Sequence, residues 1–336
     1  MTDTSGKVVS TRVRLARNIE GYPFPSHMRE EKQAKEVIRL VTSGLARLDE
    51  FKIYYMNNIT EAEALSLKEN HLISPNLVNR RLPAAALINR EENVSIMINE
   101  EDHLREQCIV KGFDLGLAYD TMSEIDNRLS KTMKFAYDEQ FGFLTACPTN
   151  LGTGLRASVM LFLPACTING LMPRILKSIS RLGLTVRGMY GEGSRAEGYM
   201  YQVSNEVTLG VTEEEILSQV EEIVKKICDI EDDQRDQLKN GASALDIEDD
   251  CLRSYGILTN CAKLTTDELT RYLASIKLGA CLGYIKLKDD VSALDELLIK
   301  MRPSNVNAAA EKELSPVERD VYRAQYTAKY LKKITV

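Results

Sequence analysis

Apolar residues recur along this chain with the two periods that ordered backbone imposes, near 3.6 for helices and 2 for strands. Residues 29–48 place Ala34, Val37, Ile38, Val41 and Leu45 on one helical face, which predicts an amphipathic helix. Residues 51–56 (FKIYYM) read as a strand, and 60–63 (TEAE) carry the capping-box pattern of a helix start. Residues 84–88 and 94–98 read as two strands joined by the polar turn 89–93. Strands mixed with helices, without strict βαβ alternation, predict an α+β layer arrangement. A second capping box at 212–215 opens a helix through Ile216, Val220, Ile223, Val224 and Ile227. The charge-dense run 229–236 (DIEDDQRD) then suggests a domain boundary, with Gly241 as a further break. This divides the chain into residues 1–234 and a second unit, 235–336. In that unit the signals are helical, over 266–276, 291–301 and 315–331. The last begins Ser315-Pro-Val-Glu318, with a Ser cap and Pro at the first helical position.

Length supports two domains, since 336 residues exceed the usual size of one. No stretch is long and apolar enough for a membrane span, and the first residues show no secretory hydrophobic segment. Seven cysteines without Cys-x-x-Cys spacing fit reduced thiols in a cytoplasm better than a disulfide framework. The three histidines (His27, His71 and His103) have no zinc-like spacing, so a protein-built metal cage is not expected. A net charge of −6 weighs against nucleic acid as the main partner and suits a basic protein substrate.

Three segments place arginine beside carboxylates, a cysteine or glycine turns: residues 99–105 (NEEDHLR), 147–156 (CPTNLGTGLR) and 187–193 (RGMYGEG); residues 10–14 (STRVR) add two more arginines. Five guanidinium groups with paired carboxylates are what is needed to hold a polyphosphate while an acceptor is oriented. Each segment alone has a plainer meaning. Residues 99–105 match a solvated acidic helix start. In 147–156, Gly152 and Gly154 allow close backbone approach to a ligand, and the apolar run 159–163 suggests a helix behind them. A small-residue turn with a buried, inert Cys147 fits equally well. The 187–193 turn lacks the Lys of a Walker A loop and the Rossmann glycine spacing.

Together the blocks STRVRLARN, HLISPNL, NEEDHLR, CPTNLGTGLRASVM and RGMYGEGS resemble, in the same order, the phosphagen (guanidino) kinase superfamily. The resemblance is greatest to its bacterial McsB-type protein-arginine kinases. It implies an antiparallel sheet flanked by helices and ATP-dependent phosphorylation of arginine. It further implies that Arg12, Arg14, Arg105, Arg156 and Arg187 clamp the nucleotide phosphates, with His71 against the nucleoside. Ser10, Thr11 and Val13, the stretch Ala157, Ser158, Val159 and Met160, and Gly188, Met189, Tyr190 and Gly191 complete the ATP site. Glu101 and Glu192 match the carboxylates that hold the acceptor guanidinium, and Cys147 the thiol beside it. Mg²⁺ is expected mainly on phosphate oxygens. A guanidinium, with a pKa above ~12, is a poor nucleophile until carboxylates fix its plane and accept its proton.

Two departures point to the bacterial branch. The chain has little before residue 10, where metabolic phosphagen kinases carry a helical domain that encloses a small acceptor. The acceptor site is therefore expected to admit an arginine on a protein. Tyr190 also replaces an arginine of the metabolic enzymes. Residues 319–324 (RDVYRA) match the phosphoarginine-binding motif of McsB-type kinases. Arg319 and Arg323, four apart, would engage one phosphate, with Asp320 on the ligand guanidinium and Ala324 completing the motif. A solvated, salt-bridged helix is the plainer reading. The resemblance also implies a role in protein quality control and stress response, a McsA-type activator, a ClpC-type unfoldase–protease partner and a dimer formed through the C-terminal domain. The alternatives are a free-arginine kinase and a non-catalytic phosphoarginine reader.

Overall fold

The computed structural model describes residues 4–45, 51–79, 82–188 and 197–336. Among them the strands are β1 (Val8–Arg17), β2 (Phe51–Tyr55), β3 (Ala85–Asn89), β4 (Val94–Ile98), β5 (Leu104–Lys111), the short pair β6 (Tyr137–Asp138) and β7 (Gly142–Phe143), β8 (Leu155–Phe162), β9 (Leu184–Gly188) and β10 (Met200–Asn205). The helices of the first part are α1 (Glu31–Gly44), α2 (Glu61–Glu69), α3 (Pro75–Val78), α4 (Leu115–Ser130), α5 (Pro164–Ile168), α6 (Met172–Ser180) and α7 (Glu213–Asn240). Five follow: α8 (Ala244–Asn260), α9 (Thr266–Leu282), α10 (Ser292–Lys300), α11 (Pro303–Ala309) and α12 (Pro316–Ile334).

Eight of the described strands form one antiparallel sheet in the order β2-β3-β4-β5-β1-β8-β10-β9. Directly paired residues share a face, so the register sorts every side chain. Val13, Leu15, Ala157, Val159, Cys108 and Ile96 face the main core, which α1, α4 and α7 cover with Val37, Val41, Ala118, Met122, Val220 and Val224. The opposite face carries Arg12 and Arg14 from β1, Arg105 and Gln107 from β5, and Arg156 and Ser158 from β8. Its two ends are roofed. On one side α2 and α3 bury Leu67, Leu72, Ile73 and Leu77 against Ala86, Ile88 and Met97. On the other, Phe162 and Met200 join the core of the C-terminal helices with Leu269, Leu273 and Leu278. Between the roofs lies the arginine-bearing floor.

Two expectations from the sequence are corrected. The apolar run 159–163 belongs largely to strand β8 rather than a helix, and a short continuous apolar run has no periodicity to separate the two. The helix opened by Thr212 does not end before the charged run but continues through it to Asn240. The reason is internal pairing. Glu231, fully buried, accepts hydrogen bonds from Ala165 N (3.0 Å) and Cys166 N (2.9 Å) at the start of α5. One turn on, Arg235 Nε donates to Glu231 (2.9 Å) and its Nη2 to the Gly6 carbonyl (3.0 Å). Gly241 does end α7, as its C-cap.

The C-terminal helices are strapped to α2. The Glu69 carboxylate accepts from Ser304 N (2.9 Å) and Asn305 N (3.0 Å) at the start of α11. Ser66 Oγ donates to Asn305 Oδ1 (2.7 Å), and Asn305 Nδ2 donates to Asn70 Oδ1 (2.8 Å). The strap ends at Asn70, immediately before His71, at the nucleoside end expected for the cleft.

Candidate active site

On the floor, Arg14 stands directly opposite Arg156 across the β1–β8 pair, and Arg12 lies two residues along the same face. Arg105 enters from β5, and Arg187 from β9 at the sheet edge. The Nε atoms of Arg12, Arg14 and Arg156 are buried and have no hydrogen-bond partner among the described residues. Burial, then the charges of Arg105 and Arg156, bring Arg12 down to about 10. Arg14 is pushed well below the usual guanidinium range by burial and then by Arg12, Arg105 and Arg156, with Glu100 opposing. Arg156 is lowered by burial and by Arg187 and Arg105; it donates to Ser204 Oγ at 3.2 Å. Packed cations with unspent donors form a binding surface for a polyanion.

Two carboxylates unread in the sequence organise this floor. Glu100 is buried and takes both contacts of Arg105 Nη1 (3.0 and 3.1 Å), a hydrogen bond from Ser74 Oγ and one from Glu101 N. Burial opposes its ionisation, but Arg105, Ser74 and the Glu101 amide keep the carboxyl below its ordinary range. Asp102, also buried, accepts from Asn18 Nδ2 and from Ala146 N, each at 2.6 Å. Burial, against those two bonds, raises its pKa. Asn18 in turn accepts from His103 N (2.9 Å) and donates to the Leu144 carbonyl (3.0 Å). This clamp fixes exposed Glu101, next to Asp102, relative to half-buried Cys147, next to Ala146. Cys147 Sγ lies 3.1 Å from Thr149 Oγ1 in a turn at residues 147–150.

Arg17 was a third omission. Its guanidinium pairs with Asp126 (2.9 Å), stacks 3.7 Å over the Phe143 ring and donates to the Thr153 carbonyl (2.9 Å). It thereby anchors the turn between Cys147 and β8. The glycines of that turn are required by its own packing. A Cβ on Gly152 (φ +112°) would lie 2.2 Å from the Thr208 carbonyl, and one on Gly154 would lie 2.6 Å from the Ala16 carbonyl.

His71 adopts a left-handed conformation (φ 61°), and its carbonyl accepts from Gln107 Nε2 (2.6 Å), a floor residue. Surrounding protein, then the charges of Arg12 and Arg302, depress its imidazole to about 4, although the residue keeps an exposed edge. Ser10, Ser158 and Met160 lie on the floor side of the sheet, whereas the side chains of Thr11, Val13, Ala157 and Val159 face the other way and have only backbone to offer a ligand. Thr11 Oγ1 donates to the Gly112 carbonyl at 2.7 Å. Gly188 ends β9. Met189, Tyr190, Gly191 and Glu192 lie outside the described residues.

The RDVYRA segment departs from the open two-arginine face expected of it. Arg323 is 1% exposed and turns inward, with Nε to the Met301 carbonyl (2.9 Å) and Nη1 to the Leu264 carbonyl and Asp320 Oδ1 (both 2.7 Å). Arg319 Nη1 donates to the Leu314 carbonyl (2.8 Å), and Ala324 is buried in the C-terminal core.

An antiparallel sheet with an arginine floor and a carboxylate–thiol edge defines a guanidino-kinase class of phosphotransferase. Residues 32–234 match the ATP:guanido phosphotransferase C-terminal catalytic domain, and residues 244–336 match the protein-arginine kinase McsB C-terminal domain. Among solved structures, the duplicated taurocyamine kinase of Schistosoma mansoni is 26% identical with a TM-score of 0.64, over 78% of this chain and 38% of that one. A lombricine kinase is 28% identical with a TM-score of 0.60, over 67% and 66% of the two chains. The protein-arginine kinase of Caldanaerobacter subterraneus subsp. tengcongensis is 42% identical, over 97% of both chains. That of Symbiobacterium thermophilum is 41% identical, over 94% of this chain and 91% of its own. The chain belongs to the protein-arginine kinase family of ATP:guanido phosphotransferases.

Proposed function

We propose that the protein transfers the γ-phosphoryl group of ATP to arginine side chains of proteins. The observation that carries this reading is the set of three buried, unspent Nε donors on a floor of mutually repelling guanidinium groups. Phosphate oxygens would satisfy those donors and relieve that repulsion together. A floor of cations repels a metal ion, so Mg²⁺ arrives on the phosphates. Glu101 and Glu192 hold the acceptor guanidinium in plane beside Cys147. The new N–P bond forms as the bond from the γ-phosphorus to the ADP oxygen breaks, and a carboxylate takes the guanidinium proton.

The family points to a role in marking proteins for quality control under stress. A McsA-type activator, a ClpC-type unfoldase–protease and a second copy of this chain are the partners we propose. Seven unpaired cysteines suit a cytoplasmic site. At the RDVYRA segment we propose phosphoarginine binding that begins at half-exposed Arg319 and Asp320; Arg323 must exchange its carbonyl partners to join them.

The test is phosphoryl transfer from Mg·ATP, run in parallel to free arginine and to an unfolded arginine-rich protein, with acid lability and mass spectrometry locating the phosphate. Label on protein arginines with little on free arginine is the expected result. Rapid labelling of free arginine alone would overturn it.

A further inference from the structure

Beside the Cys147 turn the surface is apolar where a soluble protein has little reason to be. Tyr137 (60% exposed) and Phe141 (43%) come from the β6–β7 hairpin, and Val207 (47%) and Leu209 (45%) from the segment after β10. Scattered exposed apolar residues are ordinary; four gathered from separate segments are not. Backbone contacts bring them together. Phe143 N donates to the Gly152 carbonyl (2.8 Å), and a Cβ on Gly142 would lie 2.5 Å from that same oxygen. On the other side of Gly152, a Cβ would lie 2.8 Å from the Leu209 Cα. Thr208 Oγ1 donates to the Leu151 (2.7 Å) and Thr149 (3.1 Å) carbonyls, which locks this segment to the turn that carries Cys147. The rim is thereby tied to the turn that carries the thiol.

Its charged fringe is acidic. Glu139 and Glu206 are exposed, and Glu206 is close enough for its charge to act on Arg156. Lys134, which precedes the hairpin in sequence, is paired with Glu20 (2.7 Å).

We infer that this rim docks the protein acceptor: an extended segment whose apolar side chain, near the target arginine, settles among Tyr137, Phe141 and Leu209. The inference rests on the protein-arginine kinase reading. Charge complementarity selects the occupant, because an arginine-bearing segment is drawn to the exposed carboxylates of Glu139 and Glu206. Rigid aromatic side chains give contact area at small entropic cost, as at other recognition surfaces. The rim thus selects acceptors by their apolar neighbours, a property of unfolded segments more than of folded surfaces.

The experiment compares two peptides of equal charge, each with one arginine, flanked by Leu and Phe in one and by Ser in the other. Wild type should phosphorylate the apolar peptide with kcat/KM about tenfold higher, the scale of burying part of one apolar side chain. The Tyr137→Ser/Phe141→Ser variant, and separately Leu209→Ser, should bring the ratio within twofold through KM, with kcat and the KM for ATP unchanged. A wild-type ratio near one, or a ratio that survives both variants, overturns the rim while leaving the kinase reading intact. Phosphorylation of neither peptide by wild type overturns both.

Discussion

Replacing Arg12 by methionine should make the ligand-free protein more stable and its complex with nucleotide weaker. In the empty site Arg12 carries its charge at a cost, because burial and then Arg105 and Arg156 bring its pKa down to about 10. That fall from the ordinary value corresponds to about 3 kcal/mol. The sign is unambiguous: the unfolded chain holds the proton more tightly, so at neutral pH the charged form opposes folding, and stability rises only as pH passes above about 10. Methionine keeps the apolar stem and removes the charge; similar exchanges of buried ions stabilise proteins by roughly 1–4 kcal/mol. For a chain of this size we expect Tm to rise by about 2–5 °C in low salt without ligand. Arg12→Lys, which keeps the charge, should show no such gain. Nucleotide reverses the order. At a hundredfold excess over Kd, Mg·ADP should stabilise wild type by about 2.7 kcal/mol. Loss of one charge-assisted contact, worth about 1.5–3 kcal/mol, should remove most of that in the variant. Scanning calorimetry with and without Mg·ADP, at low and high salt, reads all of these. If Arg12→Met melts below wild type without ligand, or its gain is the same at both salt concentrations, the reading of the floor as stored repulsion is wrong.

Asp102→Ala should lower stability by about 2–4 kcal/mol by stripping Asn18 and Ala146 of their acceptor, and should cut kcat at least tenfold while the KM for ATP moves less than threefold. A rise in the KM for ATP with intact kcat would place the clamp on the nucleotide and not on the acceptor. Gly152→Ala should cost more than about 3 kcal/mol, whereas Gly210→Ala, equally left-handed (φ +78°) but in open space, should cost about 1–2; urea melts of the pair separate collision from strain. Arg323→Leu strands the Met301 and Leu264 carbonyls and should destabilise the C-terminal core by about 3–5 kcal/mol, against less than about 1 for Arg319→Ala, as hydrogen exchange in α10 and α12 would show. Burial holds His103 down to about 4, so it is neutral when folded; the unfolded chain takes up that proton first as pH falls below about 6.5, and stability should drop by about 3 kcal/mol by pH 4. His103→Gln should flatten that part of the Tm–pH profile if the fold tolerates it.

What the sequence disclosed, it disclosed through local physics. The capping boxes at Thr60, Thr212 and Ser315 are present with both reciprocal bonds, and residues 94–98 form β4 without a shift. Helix α8 was missed because its acidic, half-exposed sequence carries little periodicity, and β8 was misread because its last residues are apolar on both faces: Val159 and Leu161 enter the main core while Met160 and Phe162 pack against the C-terminal helices. The arginines of the floor could be named from their motifs, yet only the register shows Arg14 facing Arg156 while Val13 turns away. Glu100 and Asp102 stood in the same motif as Glu101. Their parts depend on which way three adjacent carboxylates point, and that is decided by Ser74, Asn18 and Ala146, far off in sequence. Arg323 was placed on the correct helix, but its inward direction depends on two carbonyls from other elements.

The alternation along β1 and β8 leaves a mark on how this protein can evolve. One parity of each strand builds the core and the other builds the floor, so neighbouring codons answer to different selective demands. Substitutions at Val13, Leu15, Ala157 and Val159 should act on abundance, the amount of folded protein in the cell. Those at Arg12, Arg14 and Arg156 should leave abundance intact or raise it while abolishing growth that depends on turnover. A saturation library scored for both traits would show the two phenotypes trading places at every step along the strand. Drift toward a more durable, inactive molecule is therefore a single substitution away, and only selection for phosphoryl transfer holds the cationic floor in place.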